Sequence, residues 1–327
     1  MQKKLIAVAV LGACVAGSAL AANVDVYGRI DTGLSYVHQK IGDQAGTDTF
    51  SMDSGMSSGN RWGLKGSEDL GNGYQVGFVL ESGFDADTGA MSKDGLFNRE
   101  ATLRVSGPFG SIYAGRMGRI GSDAGSVGFY AGSVSPFGSG WGEMPGHFAV
   151  TANYDSRYNN ALAYVSPKVG PVTVYAQYTM GNATENESGD DRLFSLGAQA
   201  DFGALQVLGL VEYLNKQSTV AGTAGAPNVT HNDSQYDDSY TINLGGSYDF
   251  GVAKVFLAGQ YFNAAPNFAG QGGDWTESFD GFGVNVGASA PIGAGEFLVS
   301  AGYGKGDYHV GTKDTNRSAD SYIFQVG

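Results

Sequence analysis

Cysteine is almost missing from this chain of 327 residues: Cys14 is the only one, so neither a disulfide framework nor a thiolate metal site is available. Histidine is scarce too, with His38, His147, His231 and His309. None shows the spacing of a zinc motif such as H-E-x-x-H, and all sit in or beside long polar joints, so no metal and no cofactor is expected. Basic residues are outnumbered, 19 Lys and Arg against 32 Asp and Glu, for a formal charge of -13. Nucleic-acid binding wants a basic face, and the balance argues against it. Beyond the amino terminus no stretch approaches the roughly 20 consecutive apolar residues of a spanning helix.

What is present begins with residues 1–21, which read as a secretory signal peptide. Lys3 and Lys4 form the charged start, an apolar run follows, and Ala19-Leu20-Ala21 supplies the small-residue cleavage site. Residues 22–327 are then one exported domain without a helical anchor. Glycine is frequent at 53 residues with only 8 prolines and no three-residue period, which excludes collagen and suits a large barrel, where glycine serves bends and close approaches.

About fourteen strand-like segments follow, and the joints between them alternate in length. Short joints are expected at 69–73, 107–110, 166–171, 202–204, 250–251 and 291–295; long ones at 38–59, 85–96, 118–150, 180–190, 214–238, 263–278 and 305–319. An antiparallel barrel in the outer membrane sorts its connections this way, with periplasmic turns on one rim and external loops on the other. Side chains alternate in step. Val24, Val26, Ile30, Leu34 and Tyr36 share one parity, and Asp25, Tyr27, Arg29, Asp31 and Ser35 the other. Trp62 and Leu64 oppose Arg61, Lys65 and Ser67 in the same manner. Successive strand residues face opposite sides, so one face is greasy and one wet. Aromatics near segment ends, among them Tyr36, Tyr74, Phe84, Phe97, Phe109, Tyr178, Phe202, Phe250, Tyr261 and Phe262, are expected to form interfacial girdles.

Asn60-Arg61-Trp62-Gly63-Leu64-Lys65-Gly66-Ser67-Glu68-Asp69-Leu70-Gly71-Asn72-Gly73-Tyr74 resembles the signature hairpin of Gram-negative general porins, and Asp25-Val26-Tyr27-Gly28-Arg29, Phe97-Asn98-Arg99 and Ala114-Gly115-Arg116 continue the likeness. The resemblance implies an all-β transmembrane antiparallel barrel, a homotrimer of sixteen-stranded subunits in the outer membrane, in contact with lipid and lipopolysaccharide. It implies passive diffusion of ions and small hydrophilic solutes, not catalysis, through a lumen narrowed by the third external loop, here 118–150. Basic residues on the wall would be Arg29, Arg61, Lys65, Arg99 and Arg116, and acid on the loop Asp123 or Glu143. Anion or cation preference stays open at this point. The chain stops at Phe324-Gln325-Val326-Gly327 after about fourteen segments; the expectation is a sequence lacking its last two strands, with a true fourteen-stranded barrel as the alternative.

Two residue patterns resist the parity argument. Arg99 shares a parity with Ala101, Leu103 and Val105, so placing Arg99 in the lumen turns Glu100 and Arg104 toward lipid, where a basic charge costs roughly 2–4 kcal/mol at mid-depth. Burial against a neighbouring subunit would relieve that cost. Arg104, Arg157 and Arg192 otherwise read as ordinary solvated or ion-paired side chains. Gly281, Gly283 and Gly287 lie in a strand pattern and not at a strand-to-helix turn, which disfavours a dinucleotide site. The other readings are a substrate-specific channel, an adhesin, or an outer-membrane hydrolase, and the last lacks a strand serine paired with a strand histidine.

Overall fold

The computed structural model describes residues 23–39, 46–141, 144–180, 192–215, 219–220, 229–230, 238–269, 271–272, 277–310 and 313–327. Residues 1–21 and Glu143 lie outside the described residues. Fourteen strands form one antiparallel sheet: β1 (Asn23–Arg29), β2 (Arg61–Gly71), β3 (Tyr74–Gly83), β4 (Glu100–Gly107), β5 (Gly110–Gly118), β6 (Arg157–Val165), β7 (Val172–Thr179), β8 (Arg192–Phe202), β9 (Leu205–Asn215), β10 (Ser239–Asp249), β11 (Lys254–Ala265), β12 (Glu277–Ile292), β13 (Gly295–Val310) and β14 (Lys313–Val326). Each pairs with the next. Short turns at 72–73, 108–109, 203–204 and 293–294 alternate with much longer connections, among them 84–99 and 119–156. At the first turn Asn72 and Gly73 both take positive φ, 54° and 80°, the conformation that makes Asn-Gly the preferred two-residue hairpin turn. The joint expected at 38–59 is partly strand, because Thr32–Gln39 pairs with Thr47–Ser54 as a hairpin beyond β1 and β2.

Cross-strand partners share a face, so the register sorts inside from outside. Val26, Leu64, Leu80 and Ala101 form one row across β1 to β4, and Val26 is 76% exposed. Leu196, Leu244, Leu257 and Val286 are likewise more than half exposed on this face. So much bare apolar surface is stable against hydrocarbon and not against water. Its rim carries an aromatic belt: Tyr178 and Phe194 have ring centroids 4.8 Å apart, Phe194 and Tyr213 6.2 Å, Tyr240 and Tyr261 6.1 Å, Phe282 and Tyr303 6.0 Å, and Tyr303 and Tyr322 4.9 Å. Phe262, expected in such a girdle, is fully buried on the other face against Phe268.

The opposite face is polar along the row Ala163, Gln177, Ser195, Glu212 and Thr241. Loop 119–156 lies against it. Ser126 binds Glu100 of β4, Ile120 N donates to Gln177 of β7, Ala152 N donates to Gln260 of β11, and Ser321 of β14 donates to Ala149 O. One loop reaches the same face of strands from β4 to β14 only if the sheet curls around it. The curled sheet is a barrel with an inward-folded loop, as the sequence predicts. Among the described residues no helix is long and apolar enough to cross a membrane.

Candidate functional site

The constriction loop starts at residue 119, not 118, and runs to 156, further than the sequence suggests. It carries its own small core: Ile120, Val127, Phe129, Tyr130 and Val134 pack on Leu208, Leu210 and Ala258 of the wall, with Phe129 stacked on Tyr175 at 4.0 Å. A short helix, α1 (Ala131–Val134), sits within this packing. The wall beneath is stripped of side chains where the loop lies closest. A Cβ at Gly283 would fall 2.0 Å from the Val150 carbonyl oxygen, and one at Gly304 2.2 Å from the same atom. That part of the interior is filled by protein.

The loop's base is fastened by a buried ion pair that no local pattern in the sequence reveals. Arg119 Nη1 donates to Glu212 Oε2, and the two side chains are only 4% and 1% exposed. Arg119 Nη2 donates to Asn153 Oδ1 at 2.8 Å, and Ser195 donates to Glu212 Oε1 at 3.1 Å. The loop's exit is paired too, since Asn153 N donates to Asn267 Oδ1 and Ala269 N to Thr151 O.

The basic residues sit on β1 and β2, just before β4 and at the start of β6. Arg29 and Arg61 are cross-strand partners on the inner face. Arg99 precedes β4, so strand parity does not bind it. Its stem lies over the inner side of Gly83, where a Cβ would be 3.0 Å from Arg99 Cδ, and its Nε donates to Glu81 Oε1 at 2.7 Å. Arg61 Nη1 reaches the same oxygen at 3.9 Å, and Tyr27 OH donates to Glu81 Oε2 at 3.0 Å. Arg157, read from sequence as ordinary, donates through Nε to Arg99 O at 2.8 Å. Lys65 is exposed on the inner face, 5.5 Å from the Tyr27 ring centroid.

The lipid-facing charge anticipated at Glu100 and Arg104 does not arise. Glu100 pairs with Glu81 and Arg104 with Gly77, both on the inner face. Glu100 accepts from Ser126 Oγ at 2.6 Å, from Ser126 N at 3.0 Å and from Thr102 Oγ1 at 2.9 Å. Burial against another subunit is therefore not needed there. Arg116 is the residue that falls outside the lumen: it is opposite Ala101 in the row that begins at Val26, and it donates to Asn98 O at 2.8 Å and Asn159 Oδ1 at 2.6 Å. Asp123 is exposed on the loop, where its carboxylate accepts from Ser139 N at 3.0 Å and Ser139 Oγ at 2.6 Å. Glu81 and Arg157, missed by pattern reading, touch Arg99, and Glu81 also reaches Arg61.

His147 gives the loop a pH dependence. Its ring is 2% exposed, and Nδ1 lies 3.2 Å from Gly138 O, so Nδ1 carries the proton and donates. Burial, with a smaller contribution from Arg119, holds its pKa at about 4 instead of the ordinary 6.5. Between those values an undocked histidine holds a proton that the docked one does not, so docking is strongest above pH 6.5 and weakens as pH falls to 4, by roughly 3 kcal/mol. Single-channel current should grow noisier across that window, whereas His147→Phe should show no such transition. A wild-type record that stays quiet to pH 4 would contradict this.

A curled antiparallel sheet with a greasy outside, an aromatic belt and a basic inner wall defines a transmembrane β-barrel. The Gram-negative porin signature matches residues 7–327, and the chain belongs to that family, whose members reside in the outer membrane. An outer membrane porin of Bordetella pertussis is 34% identical over 248 residues, 72% of this chain and 62% of that protein. Outer membrane porin protein 32 of Delftia acidovorans is 40% identical over 117 residues, 36% of this chain and 32% of that protein. The matched chain thus spans less than two thirds of either relative. Among solved structures, the anion-selective porin from Comamonas acidovorans superposes with a TM-score of 0.61 at 23% identity, covering 93% of this chain and 83% of that one. The trimer form of OmpT from Vibrio cholerae gives 0.58 at 18% identity, covering 94% and 83%. At these identities the likeness is one of fold.

Proposed function

We propose that the chain forms a water-filled diffusion channel of the outer membrane that passes ions and small hydrophilic solutes and prefers anions. The observation that carries the preference is the wall cluster. Arg29, Arg61, Arg99 and Arg157 lie within electrostatic reach of one another through Arg99 and Arg61, while Glu81 and Glu100 are the carboxylates set among them. The excess is positive, and a narrow aqueous passage between low-dielectric walls magnifies such an excess. The net acidity of the chain sits largely in the long joints and acts at the mouth, where salt screens it. Filtering by this wall requires no chemistry, and a general channel, not an enzyme or an adhesin, is the reading it supports.

A homotrimer is part of the proposal, supported by family membership and by the trimeric OmpT of like fold; lipid and lipopolysaccharide would meet the greasy face. Reconstituted into a planar bilayer under a tenfold KCl gradient, the protein should conduct steadily and reverse on the chloride side of zero. A potassium-directed reversal, or no conductance, would overturn the reading.

A further inference from the structure

Below the cluster, toward the rim of short turns, the inner wall carries one more guanidinium. Arg104 lies four residues further along β4 than Glu100, about 13 Å at roughly 3.3 Å per residue. Its row holds Gly77 on one side and Tyr113 on the other. The glycine matters because a Cβ there would touch Arg104 Nη2 at 3.4 Å, so the guanidinium lies low along the wall. Arg104 Nη2 donates to Gln75 Oε1, a neutral partner that orients the group without cancelling its charge. Among the described residues Arg104 forms no ion pair. Gln75, Ser106 and Ser111 form the next inner row, and with Tyr113 all are half-buried. The groups flanking the guanidinium, Gln75, Ser106, Ser111 and Tyr113, are neutral hydrogen bonders, and the carboxylate of that row, Asp69, lies one strand further on. Asp69, across from Gln75, already accepts from Gly71 N at 2.8 Å in the turn.

We infer that Arg104, framed by Gln75, Ser106, Ser111 and Tyr113, is a second anion station on the periplasmic side of the constriction, suited to small oxyanions. A guanidinium presents parallel N–H groups that match two oxygens of a carboxylate or phosphate, and neutral hydroxyls beside it complete the contact without repelling the charge. The station rests on the anion-preferring reading above and extends it. An anion leaving the upper cluster meets a second, weaker site before the exit, and a site that is single and uncrowded holds it briefly enough to release it.

Inorganic phosphate added to one chamber at a time is the probe. In the wild-type channel phosphate should interrupt chloride current at several-fold lower concentration from the chamber facing the short turns than from the other. Arg104→Gln should remove that difference by raising the half-blocking concentration at least threefold from the turn side alone, and Arg104→Lys, which keeps charge but loses the fork, should fall between. Folded barrel in each variant is confirmed by heat-modifiable electrophoretic mobility. Block that is unchanged by Arg104→Gln, or equal from the two sides in the wild type, overturns the station. Reversal toward potassium in the wild type under a KCl gradient sinks the anion-preferring reading instead, so the two failures are told apart.

Discussion

Replacing Arg61 and Arg99 with glutamine together will move the reversal potential in a tenfold KCl gradient by about 30 mV toward the potassium side, against roughly 59 mV for ideal selectivity to one ion. The effect is large because these two guanidinium groups converge on Glu81, at 3.9 and 2.7 Å from the same oxygen. Removing them takes away two positive charges and leaves the Glu81 carboxylate with Tyr27 as its polar partner. Arg29 and Arg157 then only balance Glu81 and Glu100, and the local positive excess is lost. Arg116→Gln serves as the control: on the outer row with Ala101 it should shift the potential far less than the pair does. A shift from Arg116 equal to that from the pair would mean that the register does not sort inside from outside.

Arg61 and Arg116 also show which parts of this molecule were readable in the sequence. In β1, and in β2 as far as Ser67, the greasy and wet parities are clean, so Arg29, Arg61 and Lys65 fall on the inner face by counting alone. The alternation of short and long joints gave fourteen strands for the same reason: turn chemistry such as Asn72-Gly73 is local. Around β4 the parity argument failed because Arg99 is not in the strand; the chain turns between Phe97 and Glu100, and its side chain folds back over Gly83. Thr102 and Arg104 then fall inside without conflict. On β9, Leu208 and Leu210 face inward although apolar, since loop 119–156 covers them. A rule that assumes a wet interior has no means to foresee that. Glu81 was passed over because a lone carboxylate in a strand has no motif.

The fastening of the loop lay furthest beyond sequence reasoning and predicts the second large effect. Arg119 and Glu212 are 93 positions apart in the chain, and both become buried only when loop and wall meet. Taking one partner away leaves the other as an uncompensated buried charge, which costs about 3–5 kcal/mol. Arg119→Met is therefore expected to leave Glu212 unpaired and push residues 119–156 off the wall, lowering the thermal unfolding midpoint and giving larger, fluctuating single-channel currents. Glu212→Gln should do the same from the other side. The double variant Arg119→Met with Glu212→Leu should recover much of the quiet current, because an apolar pair of similar volume removes the desolvation penalty along with the attraction. If each single variant conducts as the wild type does, the loop is held by its apolar contacts on Leu208, Leu210 and Ala258, and the ion pair only fills space between them.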